Sequence, residues 1–113
     1  MDKYHVLILE CAYQDIEDLT LYIRDELVNP QAANKIADEI FDVIENLSDF
    51  PYSNPVYVPI KPLKHEYRKV LIGNYLLFYY INEPNKEIII SRVIYGKRNL
   101  SRQIKDEKDP ETV

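Results

Sequence analysis

Lys and Arg are the residues in this chain most able to do chemistry, and they are unevenly placed. Residues 1–56 carry three of them (Lys3, Arg24, Lys35) against twelve acids, a formal −9. Residues 57–106 carry ten against four acids (Glu66, Glu83, Glu87, Asp106), a formal +6, and residues 107–113 add −2. The net −5, taken alone, argues against a nucleic-acid binder. Local potential, however, is what attracts a polyanion. Arg68, Lys69, Arg92, Lys97 and Arg98 fall at the two ends of three β-prone runs, with Lys61 and Lys64 before them and Arg102 after. A sheet with cations on one surface is a platform for an anionic partner, and an arginine fork matches phosphate oxygens.

Each candidate has a plainer alternative. Arg68 and Lys69 alternate across a strand, so one of them faces the open side of the sheet, and Arg68 is assigned to it. Arg98 is read as a phosphate or partner contact, against a simple surface cation at a strand end. Tyr95 is either a general acid/base or base-stacking group, or a packing residue with a wet hydroxyl. His65 is a candidate proton-transfer group by residue type but sits in a proline-flanked connector and reads as exposed and idle. Glu66 reads as a solvated partner of Lys64 or Lys69.

Other chemistries are excluded by composition. Two histidines and one cysteine give no metal-spaced set, so no metal or other cofactor is expected. There is no P-loop, dinucleotide fingerprint or Ser-centred nucleophile elbow, and two glycines are too few for a backbone phosphate cradle. Cys11 cannot form an intramolecular disulfide and reads as a small core residue. Together with the lack of an export signal or a 20-residue apolar run, it leads to the expectation of a cytoplasmic protein with no membrane partner.

The elements that must position these residues are legible in the patterning. At 113 residues the chain is expected to form one domain over residues 1–105, with 106–113 (DEKDPETV) as a disordered tail. Tyr4–Leu9 (YHVLIL) reads as a strand. Ala12, Ile16, Leu19, Ile23 and Leu27 give a first amphipathic helix. Asn29-Pro30 is an N-cap followed by proline at the first helical position, and the second helix runs to about Ser48. Phe50–Leu63, with four prolines, reads as an irregular crossover. Tyr67–Arg98 then reads as a three-stranded antiparallel meander with turns at Gly73-Asn74 and Asn82–Lys86. Ser101–Lys105 is given one short turn. The sum is an α+β fold with a helical hairpin on one sheet face and the other face partly free.

Several stretches together resemble the RelE/ParE superfamily of bacterial type II toxin–antitoxin toxins. QDIEDLTLYI (Gln14–Ile23) is similar to its first helix, and Pro30–Pro51 resembles the second, ending in Leu47, Phe50 and Pro51. YRKVLIGNYLLFYYI (Tyr67–Ile81) and RVIYGKRNL (Arg92–Leu100) resemble the family's central strands and basic corner. The resemblance covers about residues 4–104. It implies a growth-arresting toxin held by a cognate antitoxin along the helices and exposed sheet, acting on gyrase–DNA if ParE-like or on ribosome-bound mRNA if RelE-like.

The RelE-like activity is RNA cleavage through the 2′-OH, which needs an activated hydroxyl, a stabilised phosphorane and a protonated leaving oxygen. By this resemblance Arg98 stands at the catalytic arginine, and Arg68 and Lys69 stand near the sheet lysines. Arg98, Tyr95 and Arg68 are therefore the catalytic candidates. Lys61, Lys64, Lys69, Arg92, Lys97 and Arg102 are the candidates for binding RNA or another target. Leu76 after Tyr75, and Ile104 where RelE-like enzymes carry a tyrosine, lean the reading toward ParE-like gyrase inhibition. A non-toxic module that binds an antitoxin-like repressor is the third possibility.

Overall fold

The computed structural model describes residues 3–59 and 61–96. The element order is β1 (His5–Ile8), α1 (Glu10–Leu21), a π-helical turn (Tyr22–Glu26), α2 (Pro30–Asp49), β2 (Arg68–Ile72), β3 (Tyr75–Asn82), a 3₁₀ turn (Glu83–Asn85) and β4 (Glu87–Tyr95). The strands form one mixed sheet in the order β1-β4-β3-β2. The meander is as the patterning predicts. β1 joins it parallel to β4, with Ile8 opposite Ile90, because the helical hairpin supplies the long crossover that a parallel pair requires.

Both helices lie on one face. Ala12, Ile16, Leu19 and Ile23 meet Ala33, Ile36, Ile40, Ile44 and Leu47 over Ile72, Leu77, Tyr79, Ile88, Ile90 and Val93. Each large aliphatic side chain buried this way contributes about 1.5–3 kcal/mol. α2 begins as expected, with the Asn29 side chain accepting from the Ala32 N–H at 3.0 Å. The first helix departs from expectation at its end. A π turn inserts an extra residue, with the Leu27 N–H donating to the Tyr22 carbonyl at 3.2 Å. Leu27 is thereby turned out of the apolar stripe and is 56% exposed.

The hairpin tip carries backbone strain. Val28 sits at φ +50°, a left-handed conformation that costs a β-branched residue about 1–2 kcal/mol, and it is 79% exposed, so little packing repays it. Val28→Gly is therefore expected to stabilise the protein by roughly 0.5–1 kcal/mol after the entropy of glycine is subtracted. Urea denaturation measures this directly, and an unchanged or lowered midpoint would contradict it. Gly73 takes the same region (φ +58°) in the β2–β3 turn, where an added Cβ would lie 3.3 Å from Ile36 Cδ1.

The second sheet face is partly free, as the sequence suggested: Leu7 and Leu71, which alternate with the helix-side residues, are 46% and 69% exposed. The proline-rich connector folds back over the rest of it, and Tyr57, Tyr67, Phe78 and Ile94 form a second buried cluster with Leu63, Leu76 and Tyr80 against it. The connector also closes the outer edge of β2: Val56 bridges Arg68, the Tyr57 N–H donates to the Tyr67 carbonyl at 2.8 Å and the Lys69 N–H to the Pro55 carbonyl at 3.2 Å. Prolines suit this position, because an outermost strand can lack donors without breaking a central ladder.

Candidate functional site

The candidate cations are dispersed. In β2 the inward phase is fixed by Ile72 and Val70, which belong to the helix-side core, so Arg68 shares their face and Lys69 takes the other. This reverses the orientation read from the sequence. Arg68 is tucked beneath the loop that ends α2. Its Nη1 donates to the Asn54 carbonyl at 2.6 Å, its guanidinium lies 5.1 Å from the centre of the Tyr52 ring, and its side chain is 16% exposed. Lys69 instead stands on the connector face, 5.7 Å from the Tyr57 ring centre. Lys61 and Lys64 are exposed on the connector itself. His65 is not idle: its ring stacks on Tyr80 at 3.9 Å with 2° between the planes.

Arg92 is turned to the hairpin. A bulge lies between the pairs Tyr79–Ile90 and Phe78–Arg92, so Ser91 is the extra residue and the alternation of β4 shifts by one. Val93, not Arg92, then enters the helix-side core. β1 ends at Ile8, leaving the edge of β4 beyond Ile90 without a strand partner, and Asp15 of α1 fills that place. One Asp15 oxygen accepts from the Val93 N–H at 2.9 Å and from Arg92 Nε at 2.6 Å. The other accepts from Arg92 Nη2 at 2.9 Å. Asp15 holds the Arg92 guanidinium above its usual pKa through these bonds. The Cys11 thiol, half-buried next to the pair, donates to the Ser91 carbonyl at 3.2 Å, and burial raises its pKa.

Tyr95 faces the helix side as well, its ring 5.9 Å from that of Tyr75. With Asp15, Asp18, Leu19, Tyr22, Ile23, Leu27 and Asn74 it lines a cavity of about 860 Å³ between the hairpin tip and the ends of β3 and β4. Tyr95 is thus separated by the sheet from Lys69. Sequence reasoning missed this cavity, because nothing local distinguishes Asp15 and Asp18 from the other acids of an acidic helix. Lys97, Arg98 and Arg102 lie outside the described residues, as do Ser101–Lys105 and the tail. Among the described residues no group of three His, Cys, Asp or Glu is arranged to hold a metal ion, and no helix is long and apolar enough to cross a membrane.

A different charged group ties the turns together. Glu83 accepts from the Tyr4 hydroxyl at 2.8 Å, from the Tyr52 hydroxyl at 2.5 Å and from Lys86 Nζ at 2.5 Å. The Lys86 bond first, then the two phenols, depress its carboxyl to about 2. The same carboxylate pushes the Tyr52 phenol up to about 12. A folded pKa below the unfolded 4.5 means that this group's contribution is complete above 4.5 and is lost as pH falls toward 2. Glu83→Gln should therefore flatten the acid limb of the stability–pH curve in that window. Parallel curves for the two proteins would show that the cluster does not form in solution.

Three solved structures share this architecture. The toxin–antitoxin complex RelBE2 from Mycobacterium tuberculosis is 20% identical, with a TM-score of 0.55 over 82% of this chain and 98% of that one. The chromosomal ParDE system from P. aeruginosa is 15% identical, with a TM-score of 0.64 over 82% and 96%. The archaeal RelE–RelB complex from Pyrococcus horikoshii OT3 is 16% identical, with a TM-score of 0.57 over 86% and 99%. At such identities the likeness establishes the fold. A search of curated sequences finds no match. The sequence model for the ParE toxin of the type II toxin–antitoxin system parDE matches residues 6–100. The chain belongs to the ParE toxin family. In this ParE-family member, Asp15 and Arg92 fasten the first helix to the last strand, and part of the second sheet face is covered by the chain's own connector.

Proposed function

We propose that this ParE-family chain is the growth-arresting component of a toxin–antitoxin pair, neutralised by a cognate antitoxin, and that it inhibits DNA gyrase and does not cut RNA. The observation that supports the second half is that Phe78 and Ile94 are buried under the connector on the face opposite the helices. Transesterification needs a proton acceptor, a proton donor and a phosphate-binding cation within reach of one phosphodiester. Among the described residues, Arg68 and Arg92 are committed to Asn54 and Asp15, and Tyr95 lies across the sheet from Lys69. Phe78 and Ile94 occupy the face opposite the helices. Leu76 after Tyr75 supports the same reading. Arg98 and Lys97 remain the proposed target contacts, with Lys61, Lys64, Lys69 and Arg102 as further ones.

Incubation of the purified protein with gyrase and plasmid DNA should abolish supercoiling and accumulate cleavage complexes. Unchanged supercoiling at high molar excess would refute gyrase as the target. With ribosomes and mRNA, the message should stay intact; cleavage that disappears in Arg98→Ala would replace this reading with the endoribonuclease one. Normal growth on induction without the neighbouring gene would leave only a binding module.

A further inference from the structure

The two edges of the sheet are finished differently. The connector closes the outer edge of β2, whereas β1, outermost on the other side, has no strand beyond it among the described residues. In its parallel ladder with β4, the His5 N–H donates to the Lys86 carbonyl at 2.8 Å and the Leu9 N–H to the Ile90 carbonyl at 3.0 Å. His5, Leu7 and Leu9 therefore turn their backbone groups toward β4, and Val6 and Ile8 turn theirs outward. The outward N–H of Tyr4 is taken, donating to the Ser48 carbonyl at the end of α2 at 3.0 Å. That leaves the N–H and C=O of Val6 and of Ile8 open among the described residues. No proline, lysine or bulge blunts this stretch (VLIL), although such devices commonly protect an exposed edge.

The open groups are complementary to themselves. Antiparallel pairing of two copies about a twofold axis at Leu7 sets Val6 of each strand opposite Ile8 of the other. Both residues face outward, so each such pair exchanges two hydrogen bonds, and every open group finds a partner. Leu7 then meets its own copy at a non-hydrogen-bonded position, where side chains approach most closely. It is 46% exposed on the face away from the helices, while Val6 and Ile8 are partly buried on the helix side. The join is thus apolar on both faces. The ladder has natural ends, because Ser48 holds the Tyr4 N–H and α1 begins at Glu10. Antiparallel pairing also brings the Lys3 end of each strand to the exposed Glu10 of the other. Lys3 can turn to it, since its ion pair with Asp49 is long (3.8 Å) and its side chain is 67% exposed.

We propose that the open edge of β1 pairs with β1 of a second copy of this chain, joining two four-stranded sheets into one with both helical hairpins on the same side. A twofold join of identical surfaces within a sheet has to be antiparallel, which is the arrangement the open groups fit. β1 is four residues long, so the dimer is reversible and forms as concentration rises. An extended segment of any other protein that added to this edge would compete with the second copy for the same backbone groups. The inference stands on β1 and does not depend on which target the toxin has.

Sedimentation velocity of the full-length protein should show monomer giving way to dimer between about 5 and about 500 μM, the range of a weak reversible contact. Leu7→Lys and Leu7→Glu should each weaken the dimer by about tenfold or more, because like charges then meet at the axis. An equimolar mixture of the two variants should restore it, since opposite charges now face each other. Unchanged far-ultraviolet dichroism checks that both variants are folded. In the unaltered protein, the amides of Val6 and Ile8 should gain protection from hydrogen exchange with concentration, while that of Leu7 is protected throughout. A protein that stays monomeric across the range would overturn the proposal. So would a dimer that both variants retain, which places the interface elsewhere, or a mixture that does not reassociate, which removes Leu7 from the axis. Free exchange at Val6 and Ile8 at the highest concentration would also overturn it and leave the edge to a strand from another protein.

Discussion

Asp15→Ala should destabilise the protein by about 3 kcal/mol, at the lower end of the 3–5 kcal/mol seen when one partner of a buried ion pair is removed. The side chains of Asp15 and Arg92 are 14% and 15% exposed, so solvent replaces little of what is lost. Two costs combine. The charge balancing a largely desolvated guanidinium disappears, and the Val93 N–H loses its acceptor at an edge where no strand continues. Asp15→Asn separates them, because it removes the charge while leaving an oxygen for Val93; about 1–2 kcal/mol is expected for it. Replacing both partners by apolar residues (Asp15→Leu/Arg92→Met) removes the ionic penalty but leaves the Val93 N–H unmet, so a deficit of about 1–3 kcal/mol should remain. Urea midpoints at constant slope give all three values. A cost below about 1 kcal/mol for Asp15→Ala would mean that the pair behaves as a solvated surface contact.

The elements were legible because their signals are local. Asn29-Pro30 announces α2, Gly73-Asn74 announces the β2–β3 turn, and the apolar stripe from Ala33 to Leu47 can be read at helical spacing without reference to any other segment. What decides the site is not local. In RKVLI both phases of β2 contain an apolar residue, so alternation cannot say whether Arg68 or Lys69 faces inward; the helices decide by burying Val70 and Ile72. The bulge at Ser91 has no glycine to mark it, yet it moves Val93 into the core and sends Arg92 to the hairpin. Asp15 looked like any other wet position of an acidic helix until β1, four residues long, left an edge for it to fill. The connector was correctly read as irregular, but irregular is not the same as uncommitted: it covers part of the second sheet face and leaves Leu7 and Leu71 exposed. The basic corner at Lys97 and Arg98 lies outside the described residues.

That roof makes Phe78→Ala the second large effect. Phe78 has no exposed surface, and its ring meets Tyr57 edge-on at 5.2 Å and 78°. Truncating a buried phenylalanine costs about 3–5 kcal/mol, and an aromatic pair adds about 0.5–1.5 kcal/mol beyond its area. A loss of about 4 kcal/mol is expected, a large share of the 5–15 kcal/mol typical of a domain. The neighbouring Leu77→Ala, equally buried but on the helix face, should cost about 2–5 kcal/mol. The two differ in where the loosening appears. Phe78 holds Tyr57 and, through it, the connector that pairs with β2, so limited proteolysis of Phe78→Ala should cut first within residues 52–66. Leu77→Ala should give no such preference, because its loss weakens the hairpin–sheet core common to the whole fold. Equal cleavage patterns would show that the connector is held by its backbone pairing to β2 alone. Phe78→Ala opens this face next to Lys69, its cross-strand neighbour, and to Tyr80, on which His65 stacks, so it tests the gyrase reading directly: under that reading mRNA should stay intact. A gain of RNA cleavage would instead mean that the roof hides an active surface.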